Sequence, residues 1–122
     1  MSKNQLPELL KLAEQYFRQQ NYALARAVLE KALQAHPDSA RANELLAYII
    51  GNEGDLEGAI AMLEKAASSS SCAPAVHYEL GSIYLSRDED EKAVSSFEKA
   101  AKLRFRTFEL HFKYGQALAK LG

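Results

Sequence analysis

Apolar and small residues recur along the chain with the spacing of helices. The first such stripe consists of Leu9, Leu12, Ala13 and Tyr16. Their i, i+3, i+4 and i+7 spacing places them on one face of an α-helix. After a short polar interval, a second stripe of the same kind runs through Ala25, Leu29 and Ala32. The pattern therefore predicts two amphipathic helices joined by a tight turn.

The same arrangement returns along the chain with one constant period and with no insertion or deletion. We call the residues at the same position of successive repeats a column. The first helices of the repeats share a column of small residues, namely Ala13, Ala47, Gly81 and Gly115. The second helices share three columns, the first and third of small residues and the second of large ones. They are Ala25, Ala59 and Ala93; Leu29, Leu63 and Phe97; Ala32, Ala66 and Ala100. Small residues let two helices approach closely, and a large neighbour fills the space beside them. The repeat predicts a row of helical hairpins.

Polar and helix-breaking residues separate the predicted helices. Residues 20–22, 54–56 and 88–90 are short polar turns within hairpins. Between hairpins, Pro37 cannot continue a helix, and Asp38 or Ser39 is expected to cap the next one. Pro74 suits the first turn of a helix, where its missing N–H costs nothing. These signals set the helix boundaries independently of the hydrophobic stripes.

The columns resemble those of the tetratricopeptide repeat family, whose pattern is W-x2-L-G-x2-Y, then A-x3-F, then A, then P. The third unit is the best match, with His77, Leu80, Gly81, Tyr84, Ala93, Phe97 and Ala100. The family tryptophan is absent, and its column holds Leu9, Asn43, His77 and His111. The resemblance implies an all-α, right-handed superhelical solenoid of antiparallel helix hairpins, with about seven helices.

The repeat register divides the chain into five segments. We predict an N-terminal extension at 1–5, repeats at 6–39, 40–73 and 74–107, and at 108–122 either the first helix of a fourth repeat or a capping helix. We favour the first alternative, with the chain being a piece of a longer protein. In the last helix, Tyr114, Gly115 and Leu118 are expected to form the packed stripe. His111, Ala117 and Leu121 are expected to meet a following helix, and weak self-association through this end is expected.

Composition narrows the class of function. Fifteen Lys and Arg residues against 16 Asp and Glu residues give a net charge of -1, which argues against nucleic acid as a partner. No apolar run of about 18 residues is present, so we expect no membrane partner. The single cysteine, Cys72, fits a reducing compartment, and we predict a cytoplasmic protein.

The candidate chemical groups do not form a catalytic pattern. His36, His77 and His111 lack companions at metal-ligand spacing, and no phosphate-binding loop or nucleophile motif occurs. Cys72 lies in a predicted loop without a nearby basic residue in sequence, and the acidic run at 88–91 is expected to be a solvated turn. We predict no catalytic residue, no metal site and no cofactor.

The family resemblance implies that the first helices line a concave groove. The side chains beside the packing stripe on those helices are partly aromatic and partly charged. They are Leu10, Glu14, Phe17, Arg41, Glu44, Tyr48, Asn52, Tyr78, Ser82, Leu85, Phe112 and Gln116. Aromatic side chains offer a large contact area at low entropic cost, which suits recognition of a peptide. Phe17 and Leu85 have an alternative interpretation as packing between hairpins.

We therefore predict a non-catalytic scaffold that binds a protein, either as a peptide or as a partner helix, in this groove. The alternative is a docking fragment of a larger enzyme, such as a transferase, whose catalytic domain lies beyond residue 122. Some family members clamp a carboxylate terminus with Lys, Asn and Arg at fixed positions. The matching residues here are Leu10, Glu14, Leu45, Ala75 and Glu79, which argues against that subclass.

Overall fold

The computed structural model describes residues 5–69, 72–104 and 107–122. These residues form seven helices and no strand. The helices are α1 (Gln5–Arg18), α2 (Tyr22–Ala35), α3 (Ala40–Asn52), α4 (Leu56–Ala67), α5 (Pro74–Ser86), α6 (Asp90–Lys102) and α7 (Phe108–Leu121). The all-α fold of helical hairpins is confirmed. The chain divides into two compact units, Met1–Ser71 with α1 to α4 and Cys72–Gly122 with α5 to α7.

The helix ends lie where the turn residues predict them. The side chains of Asn21, Ser39 and Asp55 each accept a hydrogen bond from a backbone N–H in the first turn of the following helix, and so act as N-caps. Pro74 stands in the first turn of α5, as expected. Gln5 already belongs to α1, and the rest of the predicted N-terminal extension lies outside the described residues.

The repeated columns form the core of the first unit. Ala13, Ala25 and Leu29 are fully buried where α1 and α2 cross. Helix α3 contacts α1, α2 and α4, so most of its circumference is buried. Asn43, in the tryptophan column, is 1% exposed and donates hydrogen bonds from Nδ2 to the carbonyl oxygens of Pro37 and Ser39 at 3.1 and 2.9 Å. This amide therefore ties α3 to the joint that precedes it.

The second unit is built around Phe97. Its ring is fully buried and lies 6.1 Å from the ring of Tyr78 and 6.2 Å from that of Tyr114, between ring centres. A Cβ placed on Gly81 would lie 2.6 Å from two atoms of the Phe97 ring. The glycine therefore leaves the space that the large aromatic ring fills, which explains why the small column holds glycine here.

The prediction for α7 was wrong in part: Tyr114 is half-buried against Phe97 as predicted, but three other residues lie on the side that was not expected. Leu110 and Ala117 are fully buried against the rest of the second unit, although Ala117 was expected to meet a following helix. Gly115 is exposed and Leu118 is 48% exposed, although both were placed on the packed stripe. The periodicity marks both apolar sides of a helix that has a neighbour on each side. In the described residues α7 packs mainly against α6 and also against α5, and the side that carries Leu118 is left exposed.

Candidate functional site

The first unit carries an aromatic cluster on the predicted binding side of α1 and α3. The ring of Phe17 meets Tyr22 and Tyr48 edge to face, with ring centres 5.4 and 5.0 Å apart. Phe17 and Tyr22 are half-buried against the core, whereas Tyr48 is 52% exposed. Edge-to-face contact is a favourable geometry for aromatic rings. The cluster therefore holds an accessible tyrosine ring in a defined orientation.

An ion-pair network borders this cluster. Arg41 donates from Nε to Glu14 at 3.0 Å and from a terminal guanidinium nitrogen to Glu44 at 2.9 Å. Burial opposes the charged form of Arg41, but the bonds to Glu14 and Glu44 outweigh it and raise the pKa of the guanidinium above its ordinary value. Two carboxylates against one guanidinium leave one net negative charge beside Tyr48. We name Glu14, Phe17, Arg41, Glu44 and Tyr48 the first-unit patch.

The structure gives different environments to the two other site residues predicted in this unit. Leu10 is half-buried and packs against the core of the unit, so part of its surface serves packing. Asn52 is exposed at the last position of α3. The packing interpretation offered for Phe17 agrees with the structure, because its ring packs against the core, and it also contacts the ring of Tyr48.

The second unit brings Tyr78 and Ser82 of α5 together with Lys113 of α7. The Lys113 ammonium lies 5.1 Å from the centre of the Tyr78 ring and donates to the Ser82 hydroxyl at 3.2 Å. Lys113 is half-buried. Sequence reasoning named Tyr78 and Ser82 but missed the lysine. We name these three residues the second-unit patch.

The remaining predicted site residues of the second unit differ in how much of each side chain is exposed. Leu85 is half-buried, and Gln116 is exposed on α7. Phe112 is 57% exposed and stacks on Phe108, with ring centres 6.1 Å apart and ring planes inclined by 18°. Phe108 itself is 79% exposed. The aromatic surface of α7 is thus larger than Phe112 alone, and the i, i+4 spacing of the two rings is the signal that marks it.

Cys72 and His77 are neighbours, contrary to the expectation that no basic residue lies near the thiol. The Sγ atom of Cys72 is 3.5 Å from Nε2 of His77, which is 7% exposed. Burial, together with the positive charge of Lys99, lowers the pKa of the His77 imidazole. The neutral imidazole is therefore the favoured form in the folded protein. Cys72 precedes α5 in the loop, and its contact with His77 is not revealed by sequence spacing.

This burial predicts acid sensitivity. In the unfolded chain a histidine has a pKa of about 6.5. In the folded protein the imidazole of His77 takes up its proton only at lower pH. Stability from the neutral form is fully present above that value and is lost as the pH falls below it. We expect the free energy of unfolding, measured with urea at pH 7.5 and 5.5, to fall less in His77→Asn than in the parent protein. Asparagine is already buried in this column at position 43.

The exposed His111 provides the matched control for this measurement. The pH dependence should be weaker in His77→Asn than in His111→Asn, which removes an imidazole from an exposed position. An identical pH dependence in His77→Asn and the parent would contradict the assignment.

The acidic turn of the second unit is paired with α7. Lys120 contacts both Asp88 and Asp90, the latter at 3.2 Å. The hydrogen bonds to Asp88 and Asp90 raise the pKa of Lys120. Because Asp88 remains largely exposed, these contacts are surface ion pairs of small energetic weight.

The described residues contain no cluster of three or more His, Cys, Asp or Glu side chains placed to hold a metal ion. Among the helices that the structure describes, none combines the length and the apolar character needed to span a bilayer.

The fold and these surfaces define a helical-hairpin repeat protein with exposed aromatic side chains on its first helices. Sequence profiles of the tetratricopeptide repeat match residues 10–71, which is half of the chain, and residues 74–107. The chain belongs to the tetratricopeptide repeat family. A search of curated protein sequences gave no significant match.

Several solved structures have the same fold. YrrB, described as a tetratricopeptide protein with an unusual peptide-binding site, superimposes with a TM-score of 0.84 at 22% identity, over 93% of this chain and 59% of that one. The first tetratricopeptide domain of Spaghetti (RPAP3), bound to the HSP90 peptide SRMEEVD, gives 0.82 at 16% identity over 99% and 98%. An O-GlcNAc transferase mutant of Thermobaculum terrenum gives 0.75 at 26% identity over 93% and 22%.

Proposed function

We propose that this chain is a protein-interaction module that binds a peptide, or a helix of a partner protein, on the exposed aromatic side chains of its first helices. The observation that carries the proposal is Tyr48, which is 52% exposed while its ring is in edge-to-face contact with Phe17. A partner that covers a large aromatic side chain removes apolar surface from water, which favours binding. A binding role is supported by two structures of the same fold, one described with a peptide-binding site and one bound to a peptide.

Fixing the tyrosine ring before binding favours affinity. A side chain that is already oriented loses less conformational entropy when a partner arrives. In the first unit Phe17, which itself contacts Tyr22, contacts the ring of Tyr48 and restricts it in this way. Tyrosine is also enriched among residues that dominate binding energy at interfaces. Tyr48 is therefore the anchor that we propose for the first-unit patch.

The charges beside the anchors suggest the chemistry of the bound segment. The first-unit patch has one net negative charge, because Arg41 is shared between Glu14 and Glu44. A partner with an apolar side chain flanked by Lys or Arg would fit this surface. In the second-unit patch, the Lys113 ammonium can donate to a backbone carbonyl or a carboxylate of the partner.

The same charges argue against a carboxylate terminus at the first-unit patch. Glu14 occupies a position where carboxylate-binding family members carry an amide, and its side chain is paired with Arg41. A terminal carboxylate there would meet two acidic groups. The similarity to the RPAP3 domain therefore supports the fold of this chain, but the peptide bound there does not indicate the ligand of this chain.

The proposal is tested by selecting binding peptides from a random display library against the full chain. The affinities of the selected peptides for Tyr48→Ala and Phe112→Ala are then measured by fluorescence polarisation. Loss of an aromatic anchor is expected to weaken binding about tenfold or more in at least one of these variants.

Leu24→Ala is the matched control, because Leu24 is 45% exposed on α2, a second helix outside both patches. Its affinity should stay within about twofold of the parent, a difference below about 0.5 kcal/mol. Unchanged affinity in both aromatic variants would overturn the assignment of these surfaces.

A second candidate is a docking segment of a larger enzyme. The similarity that favours it is the O-GlcNAc transferase, of which this chain matches 22% of the length at 26% identity. The gene sequence downstream of the Gly122 codon tests it. An open reading frame that continues into a transferase domain would support this candidate, and a stop codon directly after Gly122 would exclude it.

A further inference from the structure

The joint between α6 and α7 carries a local excess of positive charge. Residues 99–108 contain four of the 15 Lys and Arg residues of the chain and none of its 16 Asp and Glu residues. The rest of the chain is left with 11 basic against 16 acidic side chains. The joint is therefore a basic spot on a protein that is acidic elsewhere.

Apolar side chains stand next to these charges. Leu103, the C-cap residue of α6, is 49% exposed, and Phe108, the first residue of α7, is 79% exposed. Lys102 and Arg104, on either side of Leu103 in the chain, are exposed as well. In the part of the chain that the structure describes, neither cation is in an ion pair. We name these four residues the joint patch.

The repeat indicates that the fold does not require this composition. The equivalent residues of the two earlier joints include no Lys, no Arg and no large apolar side chain. They are Gln34, Ala35, His36 and Ala40 in the first joint, and Ser68, Ser69, Ser70 and Pro74 in the second. Lys102 suits the C-terminal end of the α6 dipole, but the dipole gives no reason for the exposed Leu103 and Phe108. The joint patch is thus a feature of this chain that hairpin packing leaves unexplained.

The size and chemistry of the joint patch favour a lipid bilayer over a protein as its partner. A stable protein interface takes about 20–30 residues from each side, whereas this patch has four. A bilayer needs no matching shape, because anionic headgroups attract cations while apolar side chains enter the boundary of the acyl chains. A nucleic acid would also attract the cations, but Leu103 offers no ring on which a base could stack.

We infer that the joint patch adsorbs to the surface of a membrane that contains anionic lipids. Lys102 and Arg104 lie among the headgroups, and Leu103 and Phe108 insert beside them. Charge and apolar insertion act together, as reversible binding at a membrane surface requires. Adsorption needs no spanning helix, so it is compatible with the described helices, although the lack of a long apolar run led us to expect no membrane partner. This inference does not rest on the proposed function.

The experiment measures binding of the full chain to lipid vesicles by cosedimentation. One set of vesicles is made of phosphatidylcholine alone, and the other also contains phosphatidylserine. The parent protein should bind the anionic vesicles at least about tenfold more strongly than the neutral ones. Added salt should weaken this binding, because it screens the attraction between the cations and the headgroups.

Two variants assign the binding to the joint patch. Combined Lys102→Gln and Arg104→Gln should weaken binding about tenfold or more, because each cation near an anionic surface contributes about fivefold. Phe108→Ser should weaken it about fivefold through the lost insertion of the ring. The matched control for charge combines Lys11→Gln and Lys31→Gln, which are exposed in the first unit. Its affinity should stay within about twofold of the parent.

Leu24→Ser is the matched control for the loss of an exposed apolar side chain, since Leu24 is 45% exposed on α2. It should bind the anionic vesicles as the parent does. Circular dichroism should show that every variant remains folded, because all the substituted positions are exposed. Phe112, on which Phe108 stacks, is left unchanged because it belongs to the proposed peptide site.

Several results would overturn the inference. Among them are equal binding to the two kinds of vesicle, binding to neither, and joint-patch variants that behave like their controls. A single-stranded oligonucleotide and a polyglutamate peptide are titrated in parallel. If either binds more tightly than the anionic vesicles and loses affinity in the same variants, a polyanion and not a membrane is the partner. Peptide binding at Tyr48 is measured separately, so the failure of one proposal leaves the other standing.

Discussion

Replacing Phe97 with alanine should lower the free energy of unfolding of the second unit by about 3–5 kcal/mol. The side chain is fully buried, and its ring contacts Tyr78, Tyr114 and the backbone at Gly81. Truncation removes the transfer free energy of the ring and leaves a cavity that the surrounding helices cannot fill. The loss should be measured by urea unfolding followed by circular dichroism.

Phe112→Ala is the matched control for this prediction, since it makes the same substitution at a residue that is 57% exposed in the same unit. Its effect should stay within about 0.5 kcal/mol, as for other surface substitutions. Comparable losses in the two variants would contradict the view that Phe97 is the centre of this core.

Gly81→Ala is expected to destabilise the same unit by up to about 2 kcal/mol, the net of two opposing effects. Alanine improves helix propensity by about 1 kcal/mol, but the added methyl group would lie 2.6 Å from the Phe97 ring, and overpacking costs about 1–3 kcal/mol. Phe97→Leu should destabilise on its own. The double variant recreates the pairing of alanine with leucine found in the first unit, so the two losses should not add.

A double-mutant cycle measures this compensation, and the coupling between positions 81 and 97 should be about 0.5–3 kcal/mol. Gly115→Ala controls for helix propensity, because no described atom lies within 4 Å of its new methyl group, and it should stabilise by about 0.5–1 kcal/mol. Strictly additive effects at positions 81 and 97 would show that the glycine is unrelated to the ring.

The candidate site could be predicted only in part from sequence. The repeat register identifies Tyr48 and Phe112 as residues beside the packed stripe, and both are exposed in the structure. It does not identify Lys113, because this lysine joins Tyr78 and Ser82 through a contact between two separate helices. A constant repeat period identifies residues that occupy the same position in successive repeats. A binding surface also includes residues at different positions of neighbouring helices, and the period does not show that these meet.

The Cys72 and His77 pair escaped sequence analysis for a related reason. Loop geometry, rather than helical spacing, brings the thiol within 3.5 Å of the imidazole. The burial that lowers the pKa of His77 also arises from packing in three dimensions. Proximity and desolvation of this kind have no local signature in the sequence.

The sequence by itself determined the hairpins of this protein, because helical periodicity, small and large columns and capping residues are local properties that repeat without a gap. Ala13, Leu29 and Phe97 are buried as their columns predict. Only the tertiary structure decided which of the two apolar sides of α7 is covered. Leu110 and Ala117 are buried by neighbouring helices while Leu118 is exposed, because burial depends on which neighbours a helix has and not on its own pattern.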